Sequence, residues 1–261
     1  MDRLYRMNMG GRGRYVIERG GGCWYELKGD IYTGYEAGQK LNPEEVLASR
    51  VLPPVMPSKI VAVGLNYRDH AKEMGKNLPD EPLIFLKPST AVVGPSDAIV
   101  LPVGAGRVDH EAELGIVIGK TAHQVTADAA QEYVLGLTCV NDVTDRDLQR
   151  RDVQYTRGKG FDTFAPIGPA ITVGLDGTSL DVESAVNGEI RQSSNTRELI
   201  FSLDRLVEFV TGVMPLLPGD IISTGTPSGV GPLRAGDRVA VKVEGVGELI
   251  NDVVSDERSG R

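Results

Sequence analysis

Glycine and proline cut this chain into short pieces: 32 glycines and 15 prolines are spread over 261 residues, and neither is well tolerated inside a helix. The segments between them read as strands. Lys59 to Val63 is β-branched, Glu111 to Ile118 alternates, Val134 to Val140 is apolar, and Asp237 to Val243 puts Val239, Val241 and Val243 on one face. Helices are few. Ser202 is placed to cap one in which Leu203, Leu206, Val207 and Val210 recur at i, i+3, i+4 and i+7, with Gly212 as its stop. Thr126 is placed to cap a second that ends at Gly136. Short helices among many strands, without regular βαβ alternation, predict a strand-dominated α+β fold and not a doubly wound sheet.

Two further strand-like pieces, Arg14 to Glu18 and Gly22 to Leu27, precede the proline-dense stretch Leu52-Pro53-Pro54-Val55-Met56-Pro57. Proline favours extended backbone, as an interdomain linker would. The expected organisation is a small strand-rich N-terminal domain over 1–53 and a second domain over 54–261.

The net charge of −8 argues against a protein that lives on phosphate contacts with nucleic acid. No apolar run approaches the roughly 18 residues of a membrane span, and Met1 to Arg14 lacks the apolar core of a signal peptide. The two cysteines, Cys23 and Cys139, are far apart and encode neither a disulfide framework nor a cysteine-zinc site. A cytoplasmic protein is expected.

The usual nucleotide and nucleophile motifs are absent. Gly11-Arg12-Gly13 lacks the third glycine of a dinucleotide fingerprint, and neither a P-loop nor a GxSxG elbow occurs. His110-Glu111 opens like HExxH, but position 114 is Leu. With only His70, His110 and His123, no zinc cluster is available, so any chemistry falls to carboxylates.

In the run Glu111-Ala112-Glu113-Leu114, the strand period of two sends both glutamates to one side and Ala112, Leu114, Ile116 and Ile118 to the other. A solvated acidic strand edge is the plain alternative. Asp142, just past the apolar run ending at Val140, adds a third acid where a buried strand finishes. Glu111, Glu113 and Asp142 make an all-oxygen set suited to Mg²⁺ or Mn²⁺.

His70 and Glu73 form a second constellation. If Asn66 to Met74 is a short helix, the i, i+3 spacing puts both on one face, where a carboxylate raises imidazole basicity and fixes its tautomer, as a general base for water requires. A solvated His and Glu on a surface helix is the alternative. Lys159, in Thr156-Arg157-Gly158-Lys159-Gly160, offers a cation for a developing enolate, or is simply an exposed basic turn. The loop Thr224 to Pro232 offers backbone N–H groups and the Thr226 hydroxyl to a carboxylate, or is a tight turn.

Several segments, in order, resemble the fumarylacetoacetate hydrolase family, in particular its shorter bacterial members. They are Gly64-Leu65-Asn66-Tyr67 through Glu73, Phe85-Leu86-Lys87-Pro88, Glu111-Ala112-Glu113-Leu114, Asn141 to Gln149, Thr156 to Asp162, and Ser223-Thr224-Gly225-Thr226-Pro227. The resemblance runs from about Lys59 to Val253. It implies a mixed β-sandwich roll with short helices at its edges, usually a homodimer. It further implies that Glu111, Glu113 and Asp142 ligate the metal, that His70 and Glu73 activate water, and that Lys159 lies near the reacting carbonyl. Gln149 and Thr226 match substrate-contacting positions. Gly160 stands where a serine is common in the family.

The expected activity is Mg²⁺- or Mn²⁺-dependent hydrolysis of a C–C bond in a short 2,4-dioxo acid such as an acylpyruvate. Oxaloacetate decarboxylation and isomerisation of a 2-hydroxyhepta-2,4-diene-1,7-dioate use the same enolate and are its rivals. A non-catalytic metal-bound binding protein is the rival of another class.

Overall fold

The computed structural model describes residues 1–256. The alternating and β-branched segments pair into one large mixed sheet. Its hydrogen-bonded order is Gly34–Lys40, Cys23–Asp30, Arg12–Arg19, Asp2–Met9, Ala165–Thr172, Val134–Asn141, Ala112–Ile118, Ile221–Ser223, Lys59–Gly64 and Leu83–Pro88. A five-stranded sheet stacks on it in the order Glu189–Asn195, Asp181–Val186, Arg238–Val243, Gly247–Ser255 and Ile99–Leu101. Three short strands, Thr144–Asp145, Val108–His110 and Gly231–Pro232, form a third. The architecture is the strand-dominated α+β one that the sequence predicts. Residues before 54 continue the large sheet, because Arg3 and Leu4 pair with Thr172 and Ile171. The Tyr15 hydroxyl also donates to the Pro54 carbonyl at 2.7 Å.

Strand Ala112–Ile118 shows why the two faces part company. Ala112, Leu114, Ile116 and Ile118 enter a core shared with Val241, Val243 and Leu249 of the five-stranded sheet, whereas Val117 enters a second core with Leu4, Ile17 and Ile167. Glu113 has the phase of Val117, so it points away from the first core. Both faces of the strand are covered, and every one of its residues is buried. A solvated acidic edge is thereby excluded.

Among the described residues, five short α-helices decorate the sheets: α1 (Pro43–Leu47), α2 (Arg68–Glu73), α3 (Arg146–Asp152), α4 (Thr156–Lys159) and α5 (Leu203–Val213). Helix α5 follows its sequence signature. The Ser202 hydroxyl accepts from the Arg205 N–H, and Leu206, Val207 and Val210 are buried, though the helix runs one residue past Gly212. The expectation at Thr126 needs correction. Residues Ala127–Tyr133 form a 3₁₀ segment without a Thr126 side-chain cap, and a strand begins at Val134, with Gly136 paired to Val117 inside it. The β-branched and apolar residues of that strand reward pairing more than helix.

Asp220 ties the central strands together. Its two carboxylate oxygens accept from Ser58 N (2.9 Å), Ser58 Oγ (2.7 Å), Lys59 N (3.2 Å), Lys59 Nζ (2.5 Å) and Leu217 N (2.9 Å). Removing it leaves buried donors unpaired, so Asp220→Ala is expected to cost roughly 3 kcal/mol, read as a lower urea midpoint at unchanged slope. Burial opposes ionisation of Asp220, but the Leu217 N–H, Lys59 and Ser58 hold its carboxyl below the usual range. A lowered folded value means that this stabilisation is complete above about pH 4 and is lost as pH falls through the folded value.

Candidate metal and catalytic site

Glu111, Glu113 and Asp142 are brought together at one end of the large sheet, each buried, with ligand atoms within 4.8 Å of one another. Strand pairing is the cause. Ala112 pairs with Asn141 and Glu113 with Val140, so Asp142, one residue past the end of its strand, lies beside the two glutamates. The Asp142 N–H also donates to the Glu111 carbonyl at 2.9 Å. Asn141 Oδ1 accepts from the Glu111 N–H at 3.0 Å, which fixes the turn into the strand.

The chain supplies each carboxylate with donors. Glu113 Oε2 accepts from Ser223 Oγ (2.5 Å) and Gly225 N (2.9 Å). Glu111 Oε1 accepts from Arg146 (2.5 Å) and Oε2 from Lys159 Nζ (2.8 Å). Asp142 Oδ1 accepts from Lys87 Nζ (2.6 Å) and Oδ2 from Lys159 Nζ (2.5 Å). Gly225 is required where it stands: its φ is +95°, and a Cβ there would come within 2.8 Å of Asn66 Cβ.

The electrostatics divide the two glutamates. Burial raises the Glu111 carboxyl, but Lys159 and Arg146 outweigh it and hold Glu111 well below the carboxylate range. Glu113 is raised well above that range by burial and by the charges of Asp142 and Glu111. Burial lowers the Lys159 ammonium, yet facing both Asp142 and Glu111 it ends above its ordinary value. Lys87 ends below it, because burial, helped by the charge of Lys159, outweighs Asp142 and Glu111. Three acids crowded in a buried site, one disfavouring ionisation, are an arrangement that a divalent cation relieves. The all-oxygen donor set fits Mg²⁺ or Mn²⁺.

Helix α2 forms as the sequence suggested, and His70 Nδ1 lies 3.0 Å from Glu73 Oε2. Glu73 Oε1 also accepts from Gly229 N at 3.2 Å, so the 224–232 loop holds the carboxylate from the other side. His70, Glu111, Glu113, Lys159, Gln149 and Thr226 all line one cavity of about 410 Å³, together with Met74, Leu83 and Tyr155. A larger cavity of about 850 Å³, between α5 and the 173–178 turn, contains none of these residues.

Two predicted contacts prove more committed than their sequence setting suggests. The Thr226 hydroxyl donates to the Ala112 carbonyl (2.9 Å) and accepts from Gln192 Nε2 (2.8 Å), so its single proton already has an acceptor. Gln149 Oε1 accepts from Arg146 (3.0 Å), which leaves its amide nitrogen for the cavity. Lys87, Arg146 and Gln192 carry no site role in the sequence reading. Gln192 is fully buried, and its Oε1 accepts from the Ala112 N–H at 2.9 Å and faces His110 Nδ1 at 3.2 Å.

A family model described as fumarylacetoacetate (FAA) hydrolase C-terminal matches residues 59–254. The crystal structure of 2-hydroxyhepta-2,4-diene-1,7-dioate isomerase from Mycobacterium marinum matches with a TM-score of 0.90 at 38% identity, covering 98% of this chain and 100% of that one. Maleylpyruvate hydrolase from Sphingobium sp. SYK-6, solved with manganese(II) and pyruvate, matches with a TM-score of 0.80 at 31% identity, covering 98% of this chain and 100% of that one. Among curated sequences, the mitochondrial oxaloacetate tautomerase Fahd2a of Rattus norvegicus is 43% identical over 213 residues, 77% of this chain and 68% of the relative. With its buried Glu/Glu/Asp metal site, the chain belongs to the fumarylacetoacetate hydrolase family of metal-dependent enzymes.

Proposed function

We propose that this protein hydrolyses a C–C bond in a short 2,4-dioxo acid of the acylpyruvate type, with Mg²⁺ or Mn²⁺ held by Glu111, Glu113 and Asp142. The carrying observation is that His70, paired with Glu73 at 3.0 Å, lines the same cavity as Glu111 and Glu113. A divalent ion held there would supply Lewis-acid stabilisation of the oxo-acid group and of the enolate. Glu73 occupies His70 Nδ1, which leaves Nε2 to take a proton from water. That water adds to the C4 carbonyl, the C3–C4 bond breaks, and the pyruvate enolate leaves. Lys159 faces the enolate charge. The free amide of Gln149 orients the substrate, and Thr226 contributes to the cavity wall.

A second reading is proton movement alone, as in an isomerase or tautomerase, and the names of two of the similar proteins favour it. Oxaloacetate decarboxylation shares its enolate. Turnover of acylpyruvates, oxaloacetate and hydroxydienoates with each metal separates the three. Release of pyruvate and a free carboxylic acid from an acylpyruvate supports the first reading; consumption of only the other two substrates rejects it.

The proposal extends to a cytoplasmic homodimer, with 1–53 as the small N-terminal domain and 54–261 as the catalytic one. No helix among the described residues is long and apolar enough to cross a membrane. Light scattering is expected to give about twice the 28.0 kDa chain mass. A strict monomer at micromolar concentration rejects the dimer.

A further inference from the structure

Each carboxylate of the triad has one oxygen taken by a donor that is built into the fold. Glu113 Oε2 belongs to Ser223 and Gly225, Glu111 Oε1 to Arg146, and Asp142 Oδ1 to Lys87. One oxygen per carboxylate remains: Glu113 Oε1, Glu111 Oε2 and Asp142 Oδ2. Lys159 Nζ sits on the last two, at 2.8 and 2.5 Å.

The two lysines on Asp142 are differently anchored. Lys87 is 0% exposed and donates a second bond, 3.2 Å long, to the Val143 carbonyl. Its strand is paired, with Lys87 opposite Ile60. Lys159 belongs to the four-residue helix α4, lines the cavity, and has its ammonium 4.8 Å from the centre of the Phe85 ring. It therefore has room to swing and an aromatic face beside it.

We infer that Lys87 is a positioning residue of the metal site, fixing Asp142 through Oδ1 so that Oδ2 alone is offered, while Lys159 holds the cation's place and gives it up on loading. This rests on the metal reading proposed above. A divalent ion on those two oxygens competes with the ammonium for their lone pairs and repels its charge, so loading moves Lys159 into the cavity, toward the substrate. Lys87 has nowhere to go.

The two roles give binding effects of opposite sign. Lys159→Met removes a competitor and is expected to tighten Mn²⁺ binding about 10-fold or more in a calorimetric titration. Lys87→Met also removes a positive charge, and charge alone would tighten binding; a lost positioning bond instead weakens it by about 10- to 100-fold. Should Lys87→Met not fold, the wild type still decides, through reductive methylation of amines followed by peptide mass spectrometry. Lys159 is expected to become more reactive when Mn²⁺ is added, with Lys87 protected throughout. Equal or tighter Mn²⁺ binding by Lys87→Met overturns the inference. So does a Lys159 equally shielded with and without Mn²⁺, or a Lys87 that becomes reactive. A wild type that takes up no Mn²⁺ overturns the metal reading itself, a distinct failure.

Discussion

His70→Ala is expected to lower kcat on an acylpyruvate by roughly 10² or more, the usual worth of a positioned general base, while Mn²⁺ affinity stays unchanged. The geometry is the reason. His70 is paired with Glu73 and not with any carboxylate of the triad, so its loss removes the proton acceptor without touching the ion. Oxaloacetate decarboxylation requires no attacking water and is expected to suffer less from this substitution. Lys159→Ala is expected to slow both reactions, because both release an enolate. Steady-state rates of the two variants on the two substrates give the comparison. Unchanged acylpyruvate turnover in His70→Ala, with an active wild type, removes the water-activating role.

Glu113→Gln is expected to weaken Mn²⁺ binding by about 100-fold or more, since even outer partners of metal ligands are worth 10- to 100-fold and Glu113 is itself one of the proposed ligands. The amide keeps the size of the side chain and still accepts from Ser223 and Gly225, the partners that hold it. Folding is therefore preserved, and the neutral side chain also removes the repulsion that raises Glu113. The metal-free variant is accordingly expected to be no less stable than the metal-free wild type. Calorimetry reads the affinity and thermal unfolding in chelator reads the stability. Wild-type Mn²⁺ affinity in Glu113→Gln excludes it as a ligand.

The parts of this site that were legible in the sequence are those set by local periodicity. Glu111 and Glu113 follow from the alternation of one strand, and His70 with Glu73 follows from the i, i+3 spacing of one helix. The Ser202 cap and the apolar face of α5 are equally local. Lys87 is the opposite case: in Leu83–Pro88, Leu83 and Leu86 are about half exposed and Lys87 is wholly buried, an inversion of the usual pattern. Its reason is Asp142, 55 residues away in sequence. Arg146 reaches Glu111 across 35 residues and Gln192 reaches Ala112 across 80, distances over which no spacing rule operates. The only sequence trace of Lys87 is its place in the Phe85-Leu86-Lys87-Pro88 segment shared with the family. The Thr126 helix failed for a different reason: a threonine ahead of an Ala-rich stretch resembles a helix start, but the following residues form a 3₁₀ segment that leads directly into a strand.

The most direct measurement follows the oxygen of the attacking water. Turnover of an acylpyruvate by the Mn²⁺-loaded enzyme in ¹⁸O-labelled water is expected to place one ¹⁸O in the carboxylate of the acid released from the acyl part, because in the proposed mechanism His70 delivers solvent water to C4. Failure to release that acid, or its release without label while the substrate is consumed, contradicts hydrolysis by activated water at this site.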